Sequence, residues 1–221
     1  MTHHGSVPAL VPVLMYHSVS EQPVGLESLS VRPADFDEQM KYLSENGFTP
    51  IGFDDLKRAA NYKKPVLITF DDGYVDNYTQ AYPILKKYKF HATIFMISGV
   101  YGSPEFLASD QISAMGDLVS IQSHTVRHEK LAGMSEAELK TEMAESKRQL
   151  EELTGKSPTA LSYPEGSYDK NVLKLAEEYY DYAVTTKKGY YYDGADRFQI
   201  RRFGISRNMP LKRFAQLVNA K

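Results

Sequence analysis

The sequence predicts a mixed α/β fold, an irregular (β/α) barrel of seven or eight strands in a single domain. Short apolar runs typical of buried strands alternate with helix-length segments almost throughout the 221 residues. The residue types that carry chemistry follow the carboxyl ends of several predicted strands, and in a barrel those ends share one face. A flat, doubly wound sheet would also gather strand ends, though less tightly, and the strand count favours the barrel.

The predicted strands are short runs rich in apolar residues. Val66–Phe70 indicates burial on both faces, because Val, Leu, Ile, Thr and Phe leave no polar stripe for a solvated face. Phe198–Ile205 is predicted as the last strand, from the alternation of its residues. In chain order the predicted strands are Val11–Tyr16, Phe48–Ile51, Val66–Phe70, Ala92–Ile97, Leu118–Ser123, Ala160–Pro164, Tyr182–Thr186 and Phe198–Ile205.

The segments between the strands show apolar residues at helical spacing. The first helix opens with Pro33 near its first position and ends before Gly47. The longest is predicted over Ser135–Leu153, where Ser135 and Glu138 fit a capping box. The remaining predicted helices are a short one starting at Phe53, Tyr78–Tyr88, one ending at Met115, Val172–Tyr179 and Pro210–Val218.

Composition excludes several classes of function. A net charge of −2 and an isoelectric point near 6.3 give no electrostatic basis for binding nucleic acid or an anionic membrane surface. No apolar run reaches about 18 residues, so no transmembrane segment is predicted. The sequence has no cysteine, so any metal must be bound by His and carboxylate side chains.

The domain organisation is simple. Residues 11–221 show no internal repeat, low-complexity tract or linker, and they are predicted to form one domain. Residues 1–10 are a separate N-terminal segment, in which Met1–Ser6 resembles the remnant of an expression tag. We expect that a native leader or anchor preceded the domain.

Two adjacent carboxylates, Asp71 and Asp72, follow the central predicted strand and precede Gly73. Two negative charges at the end of an apolar strand repel each other and are costly to desolvate. A bound cation offsets that cost directly, and the second carboxylate is then available as a base towards metal-bound water. The alternative is a solvated turn, because Asp-Asp-Gly is also common turn chemistry.

Two histidines, His124 and His128, follow the strand predicted over Leu118–Ser123. Residues four apart lie on the same side of a turn or helix, so both imidazoles can converge on one ion. This pair at one strand end and the Asp pair at another together predict a metal site. The alternative is a surface histidine pair in a polar loop.

Two further features have both a functional and a structural interpretation. His17 leaves the end of the first predicted strand, where a histidine is either a catalytic group or simply hydrogen-bonded. Tyr190–Tyr192 is interpreted either as an aromatic surface for stacking sugar rings or as the edge of a hairpin, and the edge is favoured.

Three motifs carry a resemblance to a known family: Thr69–Gly73, Ser123–His128 and Tyr163–Gly166. The sequence resembles the polysaccharide deacetylases of carbohydrate esterase family 4, the NodB-homology domain, from about Val11 to Val218. The resemblance implies an irregular (β/α) barrel, usually of seven strands. It also implies that Asp72, His124 and His128 bind the metal and that Asp71 is the general base. Zinc is the family's usual ion, with cobalt or nickel as substitutes, and this ligand set independently suits catalytic zinc with an open position.

The sequence departs from the family pattern in two places. The Arg that usually stands two residues before Pro164 and orients the catalytic Asp is absent, and Arg201 or Arg202 is the expected replacement. No His follows His128, although many members carry a late one as general acid. Leu14–His17 resembles the subgroup that deacetylates poly-N-acetylglucosamine, so His17 is the expected acid.

The resemblance implies hydrolysis of N-acetyl groups on N-acetylglucosamine units, with release of acetate. Poly-N-acetylglucosamine, peptidoglycan and chitin-like polymers are the candidate substrates, and an N-acetylated polysaccharide or oligosaccharide is the expected partner of a monomeric protein. An extracellular or cell-envelope location is expected. The turn after the sixth strand is expected to contact the substrate and its oxyanion through Tyr163, Pro164, Glu165 and Gly166.

Other functions fit the sequence less well. A phosphatase with an aspartyl nucleophile needs Asp-x-Asp, whereas Asp71 and Asp72 are adjacent. A retaining glycosidase needs two carboxylates about 5 Å apart on different strands. A catalytically weak carbohydrate-binding domain on the same scaffold remains the alternative from a different class, and acetate release distinguishes it from an enzyme.

Overall fold

The computed structural model describes residues 10–219 and has the predicted mixed α/β architecture. The predicted N-terminal segment, apart from Leu10, lies outside the described residues. The strands are β1 Val11–Tyr16, β2 Thr49–Pro50, β3 Pro65–Asp72, β4 Ala92–Met96, β5 Val119–Ser123, β6 Ala160–Ser162, β7 Tyr182–Val184, β8 Tyr190–Tyr191 and β9 Phe203–Gly204. The α-helices are α1 Pro33–Glu45, α2 Tyr82–Tyr88, α3 Ser109–Met115, α4 Glu136–Lys140, α5 Ser146–Thr154, α6 Lys170–Tyr179 and α7 Leu211–Val218.

One curled, mostly parallel sheet organises the chain. Its main path runs β7-β6-β5-β4-β3-β1, and each neighbouring pair along it is parallel. The short β2 lies parallel beside the start of β3, and β8 runs antiparallel to the start of β1. Helices connect successive parallel strands, as the alternating pattern in the sequence predicts.

The segment predicted as a single strand over Phe198–Ile205 instead connects the two edges of the sheet. Ile200 forms a parallel bridge with Val184 of β7, and β9 then pairs in parallel with Leu14 and Met15 of β1. The segment changes its pairing partner between Ile200 and β9, and only the last part is a regular strand. Counted with β9, seven parallel strands follow one another around the curled sheet, which agrees with the predicted barrel.

A column of large side chains fills the space inside the curled sheet. Phe53, from a 3₁₀ segment at Phe53–Asn61, packs on Phe95 of β4 with ring centroids 5.6 Å apart. Cζ of Arg202 lies 5.7 Å from the centroid of the same Phe95 ring, and the guanidinium donates to Asp71. The apolar interior therefore ends in a buried charge pair at the carboxyl ends of the strands, where the site lies.

The outer face of the sheet is covered by helices. The apolar stripe of α1, made of Phe36, Met40 and Leu43, is buried there together with Phe214 of α7. A second outer cluster packs Val172 and Leu175 of α6 against the sheet. No helix within residues 10–219 is long and apolar enough to cross a membrane.

The long helix predicted over Ser135–Leu153 is interrupted. A π-helical segment at Thr141–Glu145 separates α4 from α5. The predicted capping box is present, because the Ser135 hydroxyl accepts from the Glu138 N–H at 3.2 Å and the Glu138 carboxylate accepts from the Ser135 N–H. The interruption coincides with Glu142, whose side chain is fully buried although the helix sequence predicts a solvated face.

Candidate active site

The predicted site residues meet at the carboxyl ends of the strands. His17 follows β1, Asp71 and Asp72 end β3, and His124 directly follows β5. Pro164–Gly166 forms a 3₁₀ turn two residues after β6. Because these strands are parallel and adjacent, their ends share one face of the curled sheet.

Asp72, His124 and His128 converge as a triad that can hold a metal ion. One ligand atom from each residue lies within 4.8 Å of the others. Asp72 Oδ1 is 3.4 Å from Nε2 of His124 and 3.4 Å from Nε2 of His128. This oxygen is buried and has no hydrogen-bond partner among the described residues, which is the condition that a cation would relieve.

The histidine tautomers also suit a divalent cation. The Nδ1–H of His124 donates to the Ser162 carbonyl at 2.8 Å, which directs Nε2 at Asp72. Burial lowers the pKa of His124, but the Asp71 and Asp72 charges outweigh it and raise that pKa. Burial, and then the neighbouring His124, lower the pKa of His128, so its imidazole is neutral, as a metal ligand must be. Donor set and orientation therefore fit a zinc-type ion.

Backbone strain is concentrated at this site. Among the described residues, six that are not glycine have positive φ, and four of them lie here. Strained conformations persist where the surrounding structure holds them, and they cluster at functional sites. The four are Asp72 (φ 78°), Thr125 (φ 66°), His128 (φ 59°) and Glu165 (φ 54°).

Asp71 does not belong to the triad but forms a buried ion pair with Arg202. Arg202 Nη1 and Nη2 donate to Asp71 Oδ1 and Oδ2, each at 2.8 Å, and Arg202 is 0% exposed. The Ser162 hydroxyl also donates to Asp71 Oδ2 at 3.2 Å. Burial by itself would raise the pKa of Asp71, but the Arg202 charge and hydrogen bonds, together with His124 and His17, outweigh it and hold the pKa well below its usual range.

Of the two arginines expected to replace the missing family Arg, only Arg202 reaches Asp71. Arg201 is exposed, and its guanidinium donates to the Lys188 carbonyl at 3.3 Å. The two residues are adjacent on an extended segment, so their side chains point to opposite faces of the sheet. The expectation that Arg201 supports Asp71 is therefore corrected.

His17 lies within electrostatic range of both carboxylates. Burial lowers the pKa of His17, whereas Asp71 and Asp72 each raise it.

A buried hydrogen-bond network holds the main chain around His17. Asn77 Nδ2 donates to the His17 carbonyl at 2.9 Å, and Asp76 accepts from the Ser18 hydroxyl and the Val19 N–H. Sequence reasoning missed Asp76 and Asn77, although both follow closely after the Asp-Asp-Gly motif.

The turn after β6 contributes less than predicted. The Tyr163 side chain is buried away from the site, with its hydroxyl donating to the Phe198 carbonyl, so its expected contact with substrate is not met. The N–H groups of Tyr163 and Gly166 already donate to main-chain carbonyls, and Pro164 has none. Glu165 therefore offers the remaining N–H of the turn, and its exposed carboxylate lies 3.0 Å from Lys130 Nζ.

Within the Tyr190–Tyr192 cluster, Tyr190 and Tyr191 form an edge strand outside the site, and Tyr192 follows it as an exposed residue. Tyr190 and Tyr191 pair with Pro12 and Val11 at the start of β1, whereas the site residues follow the ends of the strands. Tyr191 is buried in the interior cluster and the Tyr190 hydroxyl donates to the Leu217 carbonyl at 2.8 Å. The structural interpretation of this cluster is the correct one.

Comparisons with known proteins identify a family. A family model described as "Polysaccharide deacetylase" matches residues 58–183. YxkH of Bacillus subtilis strain 168, provisionally named a polysaccharide deacetylase, is 37% identical over 220 residues, covering 96% of this chain and 77% of YxkH. The structure of Streptococcus pyogenes deacetylase PplD in complex with acetate has a TM-score of 0.90 at 31% identity, covering 97% of this chain and 100% of PplD.

A more distant relative carries a more specific name. The poly-beta-1,6-N-acetyl-D-glucosamine N-deacetylase of Staphylococcus aureus strain MSSA476 is 31% identical over 187 residues. The match covers 73% of this chain and 63% of that protein.

Proposed function

This chain belongs to the polysaccharide deacetylase family, and from that membership and the site geometry we propose that it is a metal-dependent hydrolase. It removes N-acetyl groups from N-acetylglucosamine units of a polysaccharide and releases acetate. The observation that carries the proposal is the position of Asp71, ion-paired and separate, beside a triad of Asp72, His124 and His128 with an unsatisfied carboxylate oxygen.

The triad would hold the metal through Asp72 Oδ1 and the Nε2 atoms of His124 and His128. A divalent cation there, zinc first and cobalt or nickel as substitutes, supplies a Lewis acid for the acetamide carbonyl and the attacking water. The Ser162 carbonyl fixes the tautomer of His124, so this ligand is oriented before the metal arrives.

Asp71 is the proposed general base. Its Oδ2 lies 3.9 Å from His124 Nε2, so this oxygen faces the triad and can accept the proton of the attacking water. Arg202 donates to both oxygens and keeps the carboxylate ionised and fixed in orientation. Asp71 thus remains a base despite its burial beside a second carboxylate.

His17 is the proposed general acid, which donates a proton from its imidazole to the leaving amine. The chain offers no later histidine than His128, and the described structure brings His17 within electrostatic range of Asp71 and Asp72. The N–H of Glu165 is the proposed donor to the oxyanion, because it is the one N–H left over on the turn after β6.

The substrate class is proposed from the relatives and from the shared reacting group. Poly-N-acetylglucosamine, peptidoglycan and chitin-like polymers all present an N-acetylglucosamine acetamide. The S. aureus relative, named as a poly-beta-1,6-N-acetyl-D-glucosamine N-deacetylase, favours the first polymer. Because these polymers belong to the cell envelope or the extracellular matrix, we propose an extracellular or envelope location. We also propose that the protein is a monomer.

Acetate release from the three polymers tests this proposal. Zinc-loaded protein is incubated with each polymer, and free acetate and new primary amines are measured together. Matched release of acetate and amine from at least one polymer is expected. Binding without release would instead support the alternative, a catalytically weak carbohydrate-binding domain on this scaffold.

A further inference from the structure

We infer that Glu142 is a positioning residue for the histidine loop, residues 124–128, and that it sets the affinity of the triad for its metal. Glu142 touches neither the proposed metal nor the substrate. It acts on the loop between His124 and His128 from the π-helical segment at Thr141–Glu145. The inference rests on the proposed function only in assuming that the triad binds a metal.

Within residues 10–219, the hydrogen bonds of the Glu142 carboxylate all go to the backbone and one side chain of this loop. Its Oε2 accepts from the N–H of Val126 at 2.9 Å and from the N–H of Arg127 at 3.1 Å. Its Oε1 accepts from Arg127 Nε at 2.7 Å. Three donors thus converge on one carboxylate, and all of them come from the two residues midway between the predicted ligands.

Burying the Glu142 carboxylate costs desolvation free energy, which its hydrogen bonds to the loop must offset. The Glu142 side chain is 0% exposed, whereas its partner Arg127 is 55% exposed. A buried carboxylate is tolerated when it is fully hydrogen-bonded and paired, and removing its interactions exposes a large desolvation cost. The hydrogen bonds from Val126 and Arg127 therefore offset the desolvation cost of the Glu142 carboxylate, and the same bonds restrain the loop.

The loop itself needs external support. Thr125 and His128 both have positive φ, at 66° and 59°, a conformation that β-branched residues in particular disfavour. The Thr125 hydroxyl accepts from the His128 N–H at 3.1 Å, but that bond lies within the loop and ties it to nothing else. The N–H groups of Ser98 and Gly99 hold the Thr125 and Val126 carbonyls from one side. Glu142 holds the N–H groups of the same stretch from the helical layer, and we infer that it thereby orients His128.

The π-helical segment supports the same assignment. Such segments are rare and frequently occur at functional sites. Glu142 lies within this one, as does Glu145, which is half-buried and accepts from Arg148 on the helix surface. Glu142 and Glu145 therefore provide a matched pair of carboxylates, of which only Glu142 contacts the histidine loop.

Metal affinity tests the inference without relying on activity. Wild type, Glu142→Gln and the control Glu145→Gln are titrated with Co²⁺ by visible absorption, and their Zn²⁺ affinity is measured by competition with a chelator. Loss of a residue that orients a metal ligand typically weakens metal binding about 10–100-fold. The Zn²⁺ affinity of Glu142→Gln is expected to fall about 10–100-fold and its Co²⁺ spectrum to change, whereas Glu145→Gln should match wild type in both measurements.

A second variant keeps the test decisive. Glu142→Asp retains the charge but withdraws both oxygens by one methylene, and it replaces Glu142→Gln if circular dichroism shows that the latter is unfolded. We expect weakened Co²⁺ binding here also. Zn²⁺ affinity within twofold of wild type in a folded Glu142 variant would overturn the inference. If wild type itself binds neither Co²⁺ nor Zn²⁺, the proposed function fails. That outcome is distinct from unchanged Zn²⁺ affinity in a Glu142 variant, which overturns only the inference about Glu142.

Discussion

Arg202 and Asp71, 131 residues apart in the chain, form a bidentate buried ion pair in which both contacts measure 2.8 Å. Arg202 also donates from Nε to the Thr185 carbonyl and from Nη1 and Nη2 to the hydroxyls of Thr69 and Ser162, so all five of its N–H groups are used. Ser162 occupies the position, two residues before Pro164, at which the resemblance implies an Arg. The charge that orients the proposed base therefore comes from the segment that connects the two edges of the sheet.

Replacing Arg202 should raise the pKa of Asp71. Burial raises that pKa and Arg202 lowers it, so in Arg202→Met the base becomes protonated at higher pH than in wild type. We expect the acidic limb of the kcat/KM profile to move to higher pH and the maximum rate to fall. Loss of one partner of a buried pair should also cost about 3–5 kcal/mol in free energy of unfolding.

The adjacent arginine is a matched control for this prediction. Arg201 is exposed and contacts the Lys188 carbonyl, so Arg201→Met should leave both the pH profile and stability close to wild type. Arg202→Lys, which keeps a charge but loses the bidentate geometry, serves if Arg202→Met is unfolded. An unchanged acidic limb in folded Arg202→Met, or an unchanged maximum rate in Arg202→Lys, would show that Arg202 does not control Asp71.

Asp71→Asn should separate metal binding from hydrolysis. Asp71 lies outside the triad and provides none of its three ligand atoms, so the variant should retain zinc. Without a base, acetate release should fall by about 10²–10⁴-fold, the usual contribution of one acid–base group. Metal content by mass spectrometry and acetate release are measured on the same sample. Near-normal turnover by Asp71→Asn would rule out its role as base.

His17→Ala should also retain zinc, while acetate release falls by about 10²-fold or more. A general acid acts in its protonated form, so the rate declines as pH rises through the pKa of His17, which burial lowers. We expect His17→Ala to lose this alkaline limb. His91→Ala is the control, because His91 is exposed and precedes β4 at the opposite end of the strands from the site. An unaltered rate in His17→Ala would exclude it as the acid.

Gly166 is required by the close approach of the turn after β6 to Thr186. Its φ is +66°, and an added Cβ would lie 2.3 Å from Thr186 Oγ1. Gly155, at φ +73°, has open space around an added Cβ, so Gly155→Ala measures the backbone cost alone. Gly166→Ala should be the more destabilising by about 1–3 kcal/mol in urea unfolding, and it should also slow acetate release. Equal stability of the two variants would contradict this account of the turn.

Local patterns in the sequence were sufficient to predict the motifs. The Asp71 and Asp72 pair and the His124 and His128 pair each lie within a few residues, directly after an apolar strand, and parallel strands place their carboxyl ends together. Most helices and strands were predicted for the same reason, since burial on one or both faces imposes a period that is visible in a short window.

The supporting residues could not be predicted because their roles arise from contacts between distant segments. Glu142 lies in a helix whose sequence is otherwise that of a solvated face, and nothing nearby indicates that it accepts from Val126 and Arg127. The choice between Arg201 and Arg202 depends on which of two adjacent side chains faces the interior, and this follows from the change of pairing partner along Ile200–Gly204. Tyr163 was misassigned for the same reason, since its motif position does not reveal the direction of its side chain.

The most direct test of the central claim is the zinc content of wild type and His124→Ala after loading and gel filtration, with acetate release measured on both. His124 Nε2 is 3.4 Å from Asp72 Oδ1, and its ring is already held by Ser162. Wild type is predicted to retain one zinc ion per chain and to release acetate, and His124→Ala is predicted to do neither. Wild type without bound metal, or His124→Ala with full zinc content and full activity, would contradict the account.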